Sequence, residues 1–341
     1  MAEHRFFQVN SQGALQPRRS AEEAARSAAG GGYAWLDFRN PSPEDLKPLI
    51  ELLGVHPLSV DDCLDEAQIP KIDNYETTSF LLTNSFCYKD GAFSTGEIDF
   101  IIGAHFLVTV GGRGGAAHWE DNEITPILRR EAPNLGQGPD FLLHALLDHV
   151  MDAKHTAIDM METEVDDAEE SIIKDLSGFR MSRLVNLRRN ILLMRKSLFY
   201  EREIFIKLCR RDSPFIGEKA IYHFRDVYDH LTKYYEEAEI YREVILSLTE
   251  MYLSMVNNQM SLTANRTNAT VRRLTFITTI FMPLTLLAGI FGMSEWSMIT
   301  GPSNWRISYP AFGLAMAAIG AFTYMILLKL DKKSPSKNKA G

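Results

Sequence analysis

The residues best suited to chemistry form an uncharged row near the C-terminal end of the chain, spaced three and four residues apart. They are Asn268, Val271, Leu274 or Thr275, Thr278, Met282, Thr285, Gly289 and Gly292. Residues at this spacing share one face of a helix, and this face offers oxygen atoms and small or soft side chains without any charge. Such a face is suited to lining a path for a hydrated ion. Small and hydroxylic residues also serve close packing between membrane helices, so both interpretations stay open at this point.

Two long apolar runs at the C-terminal end include most of that face. Leu274–Ser294 has 21 residues and Tyr309–Leu328 has 20, and neither run contains a charged residue. A helix needs ~20 apolar residues to cross ~30 Å of hydrocarbon, so each run is long enough to span a membrane. The segment between them is short, which predicts a helical hairpin with both ends on the same side of the bilayer.

The charges around the two runs indicate which side that is. Arg266, Arg272 and Arg273 precede the first run, and lysines follow the second at positions 329, 332, 333, 337 and 339. The connecting loop holds one base, Arg306, and one acid, Glu295. Basic residues collect on the cytoplasmic side of membrane helices, so we expect a multi-pass protein of a bacterial-type inner (plasma) membrane with both termini in the cytoplasm.

The composition argues against several other classes of protein. The 341 residues are 45% hydrophobic and 23% charged, which is ordinary for a globular protein and unlike a disordered or fibrous chain. The net charge of −8 argues against a nucleic-acid binder, since such domains carry a basic surface. Three widely spaced cysteines exclude a disulfide framework and fit a reducing compartment. The first thirty residues contain no apolar run long enough for a signal peptide, so we expect this part to stay in the cytoplasm.

The first third of the chain has the pattern of a compact α/β domain. The runs Thr78–Tyr88, Glu97–Gly103 and Ala104–Gly112 are rich in β-branched and aromatic residues and are bounded by turn formers, which predicts strands. Ser42–Leu53 opens with Ser-Pro-Glu-Asp, which is typical of a helix start. Strands with interleaved helices favour an α/β fold.

Long helices dominate the middle of the chain. Apolar residues recur at helical spacing, which predicts two long antiparallel helices that turn near Asp175–Phe179 and a third that starts near Glu218. No strong breaker separates Ile221 from Met282, so we expect the third helix to continue from the cytoplasm into the bilayer. A helix of that length needs lateral packing, most simply in an oligomer.

The sequence therefore predicts six segments. They are a cytoplasmic α/β domain at 1–135, long helices and a stalk at 136–273, a first membrane helix at 274–294, an external loop at 295–308, a second membrane helix at 309–328 and a basic cytoplasmic tail at 329–341.

Several motifs stand in a fixed order along the chain. The membrane run TNATVRRLTFITTIFMPLTLLAGIFGMS contains Phe-Met-Pro-Leu-Thr and Gly-Ile-Phe-Gly-Met, and the second membrane helix opens with Tyr309 and Pro310. Upstream stand the segments Trp35–Leu46, His56–Tyr75 and Arg225–His230. Together these motifs resemble the CorA-type family of magnesium transporters over nearly the whole chain, and the membrane run resembles the pore helix of that family.

The resemblance implies an α/β N-terminal cytoplasmic domain, a long α-helical stalk and two C-terminal transmembrane helices, in a funnel-shaped homo-oligomer of five subunits. It also implies that the first membrane helix lines a channel for divalent metal cations, Mg²⁺ first. Since the sequence has no ATP-binding motif, we expect the membrane potential to drive transport. Membrane lipid and further copies of the chain are the expected partners. We expect no enzyme activity, no covalently bound cofactor and no nucleic-acid partner.

Two alternatives to a magnesium channel stay open. One is a transporter of Zn²⁺, Co²⁺ or Ni²⁺ with the same architecture. The other is a non-conducting membrane sensor or scaffold, because Ser294 replaces the asparagine with which the family ends its Gly-Met-Asn signature.

Gly292, Met293, Ser294 and Glu295 form the expected selectivity mouth of the pore. The family interpretation is that backbone carbonyls and the asparagine amide hold a hydrated ion, which suits Mg²⁺ because this ion gives up water reluctantly. Serine keeps an acceptor oxygen on a shorter side chain, so we expect weaker or less selective capture, a different ion, or no conduction. Glu295 is either a carboxylate that attracts cations to the entrance or a solvated loop acid.

The same resemblance assigns a gate and a regulatory metal site. Leu274 and Met282 form the gate, because apolar side chains around a narrow pore close it by dewetting, and Thr285 offers a hydroxyl between gate and mouth. Glu250 occupies the acidic stalk position of the family and Asp90 lies near the partner position, and the family binds a regulatory Mg²⁺ ion between such carboxylates of neighbouring subunits. The alternative is that both acids are simply solvated.

A separate metal candidate comes from spacing alone. His144, Asp148, Asp152 and His155 share one helical stripe, and imidazole and carboxylate groups are ligands that Zn²⁺ accepts.

Overall fold

The computed structural model describes residues 3–65, 68–89, 92–112, 119, 121–292, 301 and 303–333. The chain divides into two compact units, Met1–Tyr252 and Leu253–Gly341, and the division falls within one long helix.

The described residues of the first unit form seven strands and several helices. Its strands are β1 Glu3–Val9, β2 Leu15–Arg18, β3 Tyr33–Arg39, β4 Lys71–Asn74, β5 Ser79–Lys89, β6 Ala92–Gly103 and β7 Phe106–Gly111. Its short helices are α1 Ala21–Ala28, α2 Pro43–Leu46, α3 Pro48–Leu53, α4 Pro57–Asp62, α5 Asp121–Arg130 and α6 Ala132–Leu135. The long helices of the chain are α7 Pro139–Lys174, α8 Met181–Cys209, α9 Ile221–Gly292 and α10 Trp305–Lys333.

The seven strands form one sheet in the order β2-β1-β3-β7-β6-β5-β4. Only β3 and β7 run parallel, with Leu36 opposite Val108, and the other neighbours are antiparallel. The parallel pair lies at the centre of the sheet, where β3 and β7 are buried along nearly their full length, as expected for strands covered on both faces.

Helices cover both faces of this sheet. Leu36, Phe38 and Val108 belong to a core cluster that also contains buried residues of α1, α2, α3 and α4. Side chains alternate between the two faces of a strand, so Trp35 and Leu107 point to the other face, where α7 contacts β3, β5, β6 and β7. The predicted α/β class of this region is confirmed, and the three strands predicted from sequence are β5, β6 and β7.

The predicted helix at Ser42–Leu53 is divided into α2 and α3. Its start is as expected: the Asp45 carboxylate accepts a hydrogen bond from the Ser42 backbone N–H at 2.7 Å, which completes a capping box. Pro48 carries no N–H and cannot continue the ladder of hydrogen bonds, so a second short helix begins there. Gly54 ends this helix with φ of +67°.

The long helices agree closely with the sequence prediction. The helix α7 ends at Lys174 and α8 begins at Met181, on either side of the predicted turn. The helix α9 is continuous from Ile221 to Gly292, and Pro283 lies inside it.

Within the described ranges, two helices are apolar enough and long enough to cross a membrane, one in α9 and the other at Arg306–Lys329 in α10. Each contains an 18-residue apolar stretch, and no part of either stretch is buried within the chain. Core helices of soluble proteins bury such stretches, so these two helices need lipid or other copies of the chain to cover them.

Candidate functional site: the uncovered face of the first membrane helix

One side of α9 packs against α10. Its partly buried residues between 274 and 290 recur at helical spacing: Phe276, Ile280, Pro283, Leu284 and Leu287. The partly buried stripe of α10 is Phe312, Met316, Gly320, Thr323 and Leu327. A Cβ atom added to Gly320 would lie 3.5 Å from the Cδ1 atom of Leu284, so the two helices touch at this point.

The row of candidate pore residues lies on the opposite side of α9. Thr278 is two residues from Ile280, Met282 is two from Leu284, and Thr285 is two from Leu287; two residues correspond to about 200° around a helix. Every side chain of the row from Asn268 to Thr285 is exposed, and Met282 is 74% exposed. We call this side the uncovered face of α9, defined by Asn268, Val271, Leu274, Thr278, Met282, Thr285 and Gly289.

The threonine hydroxyls on this face donate hydrogen bonds to backbone carbonyls of the same helix. Thr278 donates to the carbonyl of Leu274 at 3.0 Å, and Thr285 donates to the carbonyl of Phe281 at 2.8 Å. A hydroxyl oxygen that donates its proton in this way keeps its lone pairs free to accept. The uncovered face therefore presents hydrogen-bond acceptors, which match the outward-pointing hydrogens of the water around a cation.

Apolar residues flank these acceptors. Leu274 is 60% exposed, and Met282 and Thr285 line an open groove of about 780 Å³ together with Phe281 and Gly289. No charged residue occurs between Leu274 and Gly292. An apolar side chain on either side of a hydroxyl can exclude water, whereas the hydroxyl can hold it.

Sequence reasoning quoted Pro283 only as part of a motif and missed its effect on the backbone. Proline has no N–H, so Pro283 cannot donate to the carbonyl of Thr279, four residues earlier in the same helix. A proline inside a membrane helix is the signal that could have shown this position as a point where α9 can bend.

Two of the predicted sites lie partly outside the described residues. Gly292 is the last residue of α9, and Met293, Ser294 and Glu295 of the expected mouth fall outside the described part of the chain. Asp90, one half of the expected regulatory site, is also outside it, and Glu250 is an exposed residue of α9.

The two histidines of the stripe on α7 contact aromatic rings on α9. The ring of His144 lies 4.8 Å from that of His223 on α9, and His155 stacks on Tyr234 at 5.8 Å. Burial, together with the nearby His223, lowers the pKa of His144 to about 4, while burial raises the pKa of Asp148. Among the described residues, no three His, Cys, Asp or Glu side chains are grouped so that they could hold a metal ion.

Comparison with known proteins identifies the family to which this chain belongs. The family model for the CorA-like Mg²⁺ transporter protein matches residues 30–332, which is most of the chain. The chain belongs to the CorA-like family. CorA-like proteins are transporters rather than enzymes, and their two C-terminal apolar helices make them membrane proteins, in agreement with the predicted fold class and function.

Two curated relatives cover most of this CorA-like chain. It is 28% identical over 306 residues to the cobalt/magnesium transport protein CorA of Thermotoga maritima, which covers 88% of this chain and 82% of that protein. It is also 28% identical over 291 residues to the putative metal ion transporter YfjQ of Bacillus subtilis, with 84% and 86% of the two chains covered.

The solved CorA magnesium transporter of Methanocaldococcus jannaschii has the same fold along its full length. The TM-score is 0.69 at 20% sequence identity, and the likeness covers 97% of this chain and 98% of that one. The order of an α/β domain, a long helix and two C-terminal apolar helices is therefore shared with that solved structure.

Proposed function

We propose that this chain forms a pentameric channel for divalent cations, Mg²⁺ first, with the uncovered face of α9 lining the pore. One observation carries the proposal: a membrane-length face of α9 is uncharged, carries acceptor oxygens and is turned away from α10, and none of the residues that the structure describes covers it. Copies of the same face around an axis would cover one another and enclose water. The relatives named for cobalt/magnesium and metal ion transport support the choice of a divalent cation.

The pore has alternating apolar and polar rings in this proposal. Leu274 and Met282 close it by dewetting, since a narrow apolar constriction excludes water without needing a charge. Thr278 and Thr285 accept hydrogen bonds from the hydration shell of the passing ion. Asn268 and Val271 line the cytoplasmic end, and Gly289 leaves room near the outer end.

The mouth lies at Gly292, Met293, Ser294 and Glu295. A neutral ring of oxygens suits Mg²⁺, because this ion demands octahedral oxygen coordination and gives up its water reluctantly. The Ser294 hydroxyl is a shorter acceptor than the asparagine amide of the family signature, so we expect weaker capture of the hydrated ion. Glu295 adds one carboxylate per subunit at the entrance.

The membrane potential drives uptake. A divalent cation gains about 4.6 kcal/mol per 100 mV, twice the value of about 2.3 kcal/mol for one elementary charge. This energy corresponds to more than three decades of concentration ratio. The basic residues around the two spans support an orientation with both termini in the cytoplasm of an inner (plasma) membrane.

Regulation involves Asp90 and Glu250 of neighbouring subunits. A divalent cation bound between two carboxylates would hold the subunits together when cytoplasmic Mg²⁺ is plentiful, and its release would free the helices. The exposed position of Glu250 on α9 is compatible with a contact to another subunit.

The test is ion flux into liposomes that contain the purified protein and a trapped Mg²⁺-sensitive dye. We expect Mg²⁺ uptake to rise with an inside-negative membrane potential imposed by a potassium gradient and valinomycin. We also expect Co²⁺ to compete with Mg²⁺ for uptake. Mass photometry of the protein in detergent is expected to give five copies. Liposomes without protein provide the background.

The Ser294→Asn variant separates a weak channel from a non-conducting relative. If the wild-type chain conducts and the variant conducts more selectively, the proposal holds. If flux is absent in the wild type and appears only with Ser294→Asn, the protein is not a channel and acts as a membrane sensor or scaffold.

A further inference from the structure

A second cavity, unrelated to the membrane helices, lies in the α/β part of the first unit. It has a volume of about 520 Å³ and lies between the β1–β2 hairpin and α5. Gly13, in the hairpin turn, has φ of +77°, and a Cβ atom there would lie 1.6 Å from the carbonyl oxygen of Ala132. Only glycine allows this approach, so the turn packs directly on the start of α6 and frames one end of the cavity.

The inner wall of the cavity is apolar. Phe7 and Trp35 stack with their ring centroids 5.1 Å apart, and Leu15, Ile124 and Leu128 complete the wall. Pockets for small molecules typically have volumes of about 300–1,000 Å³ and mainly apolar linings with a few placed polar groups. This cavity has the size and the lining of such a pocket.

The charged residues that the structure describes in the lining of the cavity are both positive. Arg5 and Arg129 line it, and none of its described lining residues is an aspartate or glutamate, although the chain as a whole has a net charge of −8. The Nη2 atom of Arg5 lies 2.7 Å from Oδ2 of the buried Asp37, which fixes its guanidinium in place and partly neutralises it.

Arg129 is the cation that can meet a ligand. Its side chain is exposed, and no hydrogen bond or ion pair to any part of the chain that the structure describes engages it. The next residue, Arg130, does not line the cavity and is paired with Glu131 at 3.2 Å. An apolar cavity with an unpaired guanidinium at its rim complements a molecule that is apolar at one end and anionic at the other.

We propose that this cavity binds a small organic anion whose flat apolar body contacts Phe7, Leu15 and Leu128. Its carboxylate or phosphate group pairs with Arg129, because the planar guanidinium donates two parallel hydrogen bonds to either group. The exposed position of Arg129 keeps the charge of the ligand at the water boundary, so binding buries apolar surface without burying an uncompensated charge.

Isothermal titration of the full-length protein in detergent tests this site, with 2-naphthoate as the probe and titration into detergent alone as the background. 2-Naphthyl phosphate replaces the carboxylate by a phosphate, and 2-naphthalenemethanol replaces it by a neutral group. We expect both anions to bind and the alcohol to bind about tenfold more weakly or not at all. The tighter of the two anions identifies the head group that the site prefers.

Matched variants assign the binding to this cavity. Arg129→Ala is expected to weaken the binding of 2-naphthoate about tenfold or more, whereas Arg130→Ala, one residue away and paired with Glu131, leaves it unchanged. Thr125→Trp, at an exposed position that lines the cavity, fills the space and is expected to abolish binding while Arg129 remains. Equal binding by the Arg129 and Arg130 variants, or of the alcohol and the carboxylate, would overturn the proposal.

Discussion

Two regions of the molecule differ in their charged residues. The junction of α7, α8 and β5 buries two charged side chains, whereas the uncovered face of α9 carries none. At the junction, Lys154 and Glu201 form an ion pair in which both side chains are fully buried. Glu201 also accepts from the Ser197 hydroxyl at 2.8 Å, and the Lys154 ammonium lies 5.3 Å from the ring of Phe86. The uncovered face of α9 is the reverse, with exposed side chains and no charge between Leu274 and Gly292.

This difference shows that a charged side chain depends on neighbouring residues that can pair with it. A charge can be buried where a partner and further hydrogen bonds satisfy it, as at the junction. The uncovered face has no such partners among the residues that the structure describes, and a charge there would face either lipid or, in the proposed pore, the passing divalent cation. Neutral oxygens avoid the cost of exposing a charge to lipid and do not bind a divalent cation too tightly to release it. They still accept hydrogen bonds from the water around an ion.

Removing one half of the buried pair is expected to have the largest effect. Glu201→Leu leaves the Lys154 ammonium buried without its partner, and Lys154→Met does the reverse. Each variant is expected to lose about 3–5 kcal/mol of stability, and the double variant is expected to recover most of that loss. Thermal unfolding of the purified protein in detergent compares all three.

The control for that experiment is the partly exposed pair of Arg195 and Glu239, which joins α8 to α9. Arg195→Met is expected to cost less than about 1 kcal/mol, because solvent screens such a pair. If the single variants at the junction are no less stable than the double variant, the buried pair does not contribute in the way described.

His144 extends the comparison, because it is a half-buried titratable group that has no ion-pair partner in the part of the chain that the structure describes. Burial, and then His223, lowers its pKa to about 4, whereas Glu131 and Asp226 act in the opposite direction. The unfolded chain therefore binds more protons between about pH 6.5 and 4, and stability falls as the pH falls through this range. The loss is expected to reach about 3 kcal/mol at pH 4, at about 1.36 kcal/mol per pKa unit.

The measurement is the midpoint of thermal unfolding between pH 7 and pH 4. His144→Leu is expected to reduce the acid-induced drop in this midpoint, and His155→Gln, at a half-exposed position on the same helix, is expected to leave the drop unchanged. An identical drop in the His144 variant would place the origin of the acid sensitivity elsewhere.

Variants of two methionines in the second unit test the proposed gate. Met282 lies on the uncovered face of α9, and Met316 lies on the stripe of α10 that packs against α9. Met282→Ala is expected to widen the apolar constriction and raise resting Mg²⁺ flux in liposomes about tenfold, equivalent to about 1.4 kcal/mol. Met316→Ala removes the same atoms outside the pore and is expected to change flux less than twofold. Equal flux in the two variants would contradict a gate at Met282.

Sequence patterns predicted the parts of the molecule that depend on neighbours close along the chain. Helix α9 was predictable because no strong breaker separates Ile221 from Met282, and its candidate pore face follows from spacings of three and four residues. The face of α9 that contacts α10 was not predicted, since it depends on where Gly320 approaches Leu284.

The parts that sequence reasoning missed depend on distant pairs. Lys154 and Glu201 are 47 residues apart, and nothing in their spacing indicates that they meet. In the same way, β3 contains the fully buried Asp37, which is unfavourable in a central strand until Arg5 and Thr109 supply its hydrogen bonds. Both cases require the tertiary structure, because the polar group is satisfied only by residues far away in sequence.

The smallest expected effect separates a hydroxyl that meets the ion from one that only bonds its own helix. Thr285 and Thr323 both donate to the carbonyl four residues earlier, at 2.8 and 2.5 Å, but only Thr285 lies on the uncovered face. Replacing either with valine removes the same local hydrogen bond and keeps the side-chain shape. Thr285→Val also removes one acceptor per subunit from the pore, so we expect Mg²⁺ flux to fall about threefold to tenfold, equivalent to about 0.6–1.4 kcal/mol, while Thr323→Val leaves it unchanged. A similar fall in both variants would mean that the Thr285 hydroxyl acts on the helix backbone and does not contact the hydrated ion.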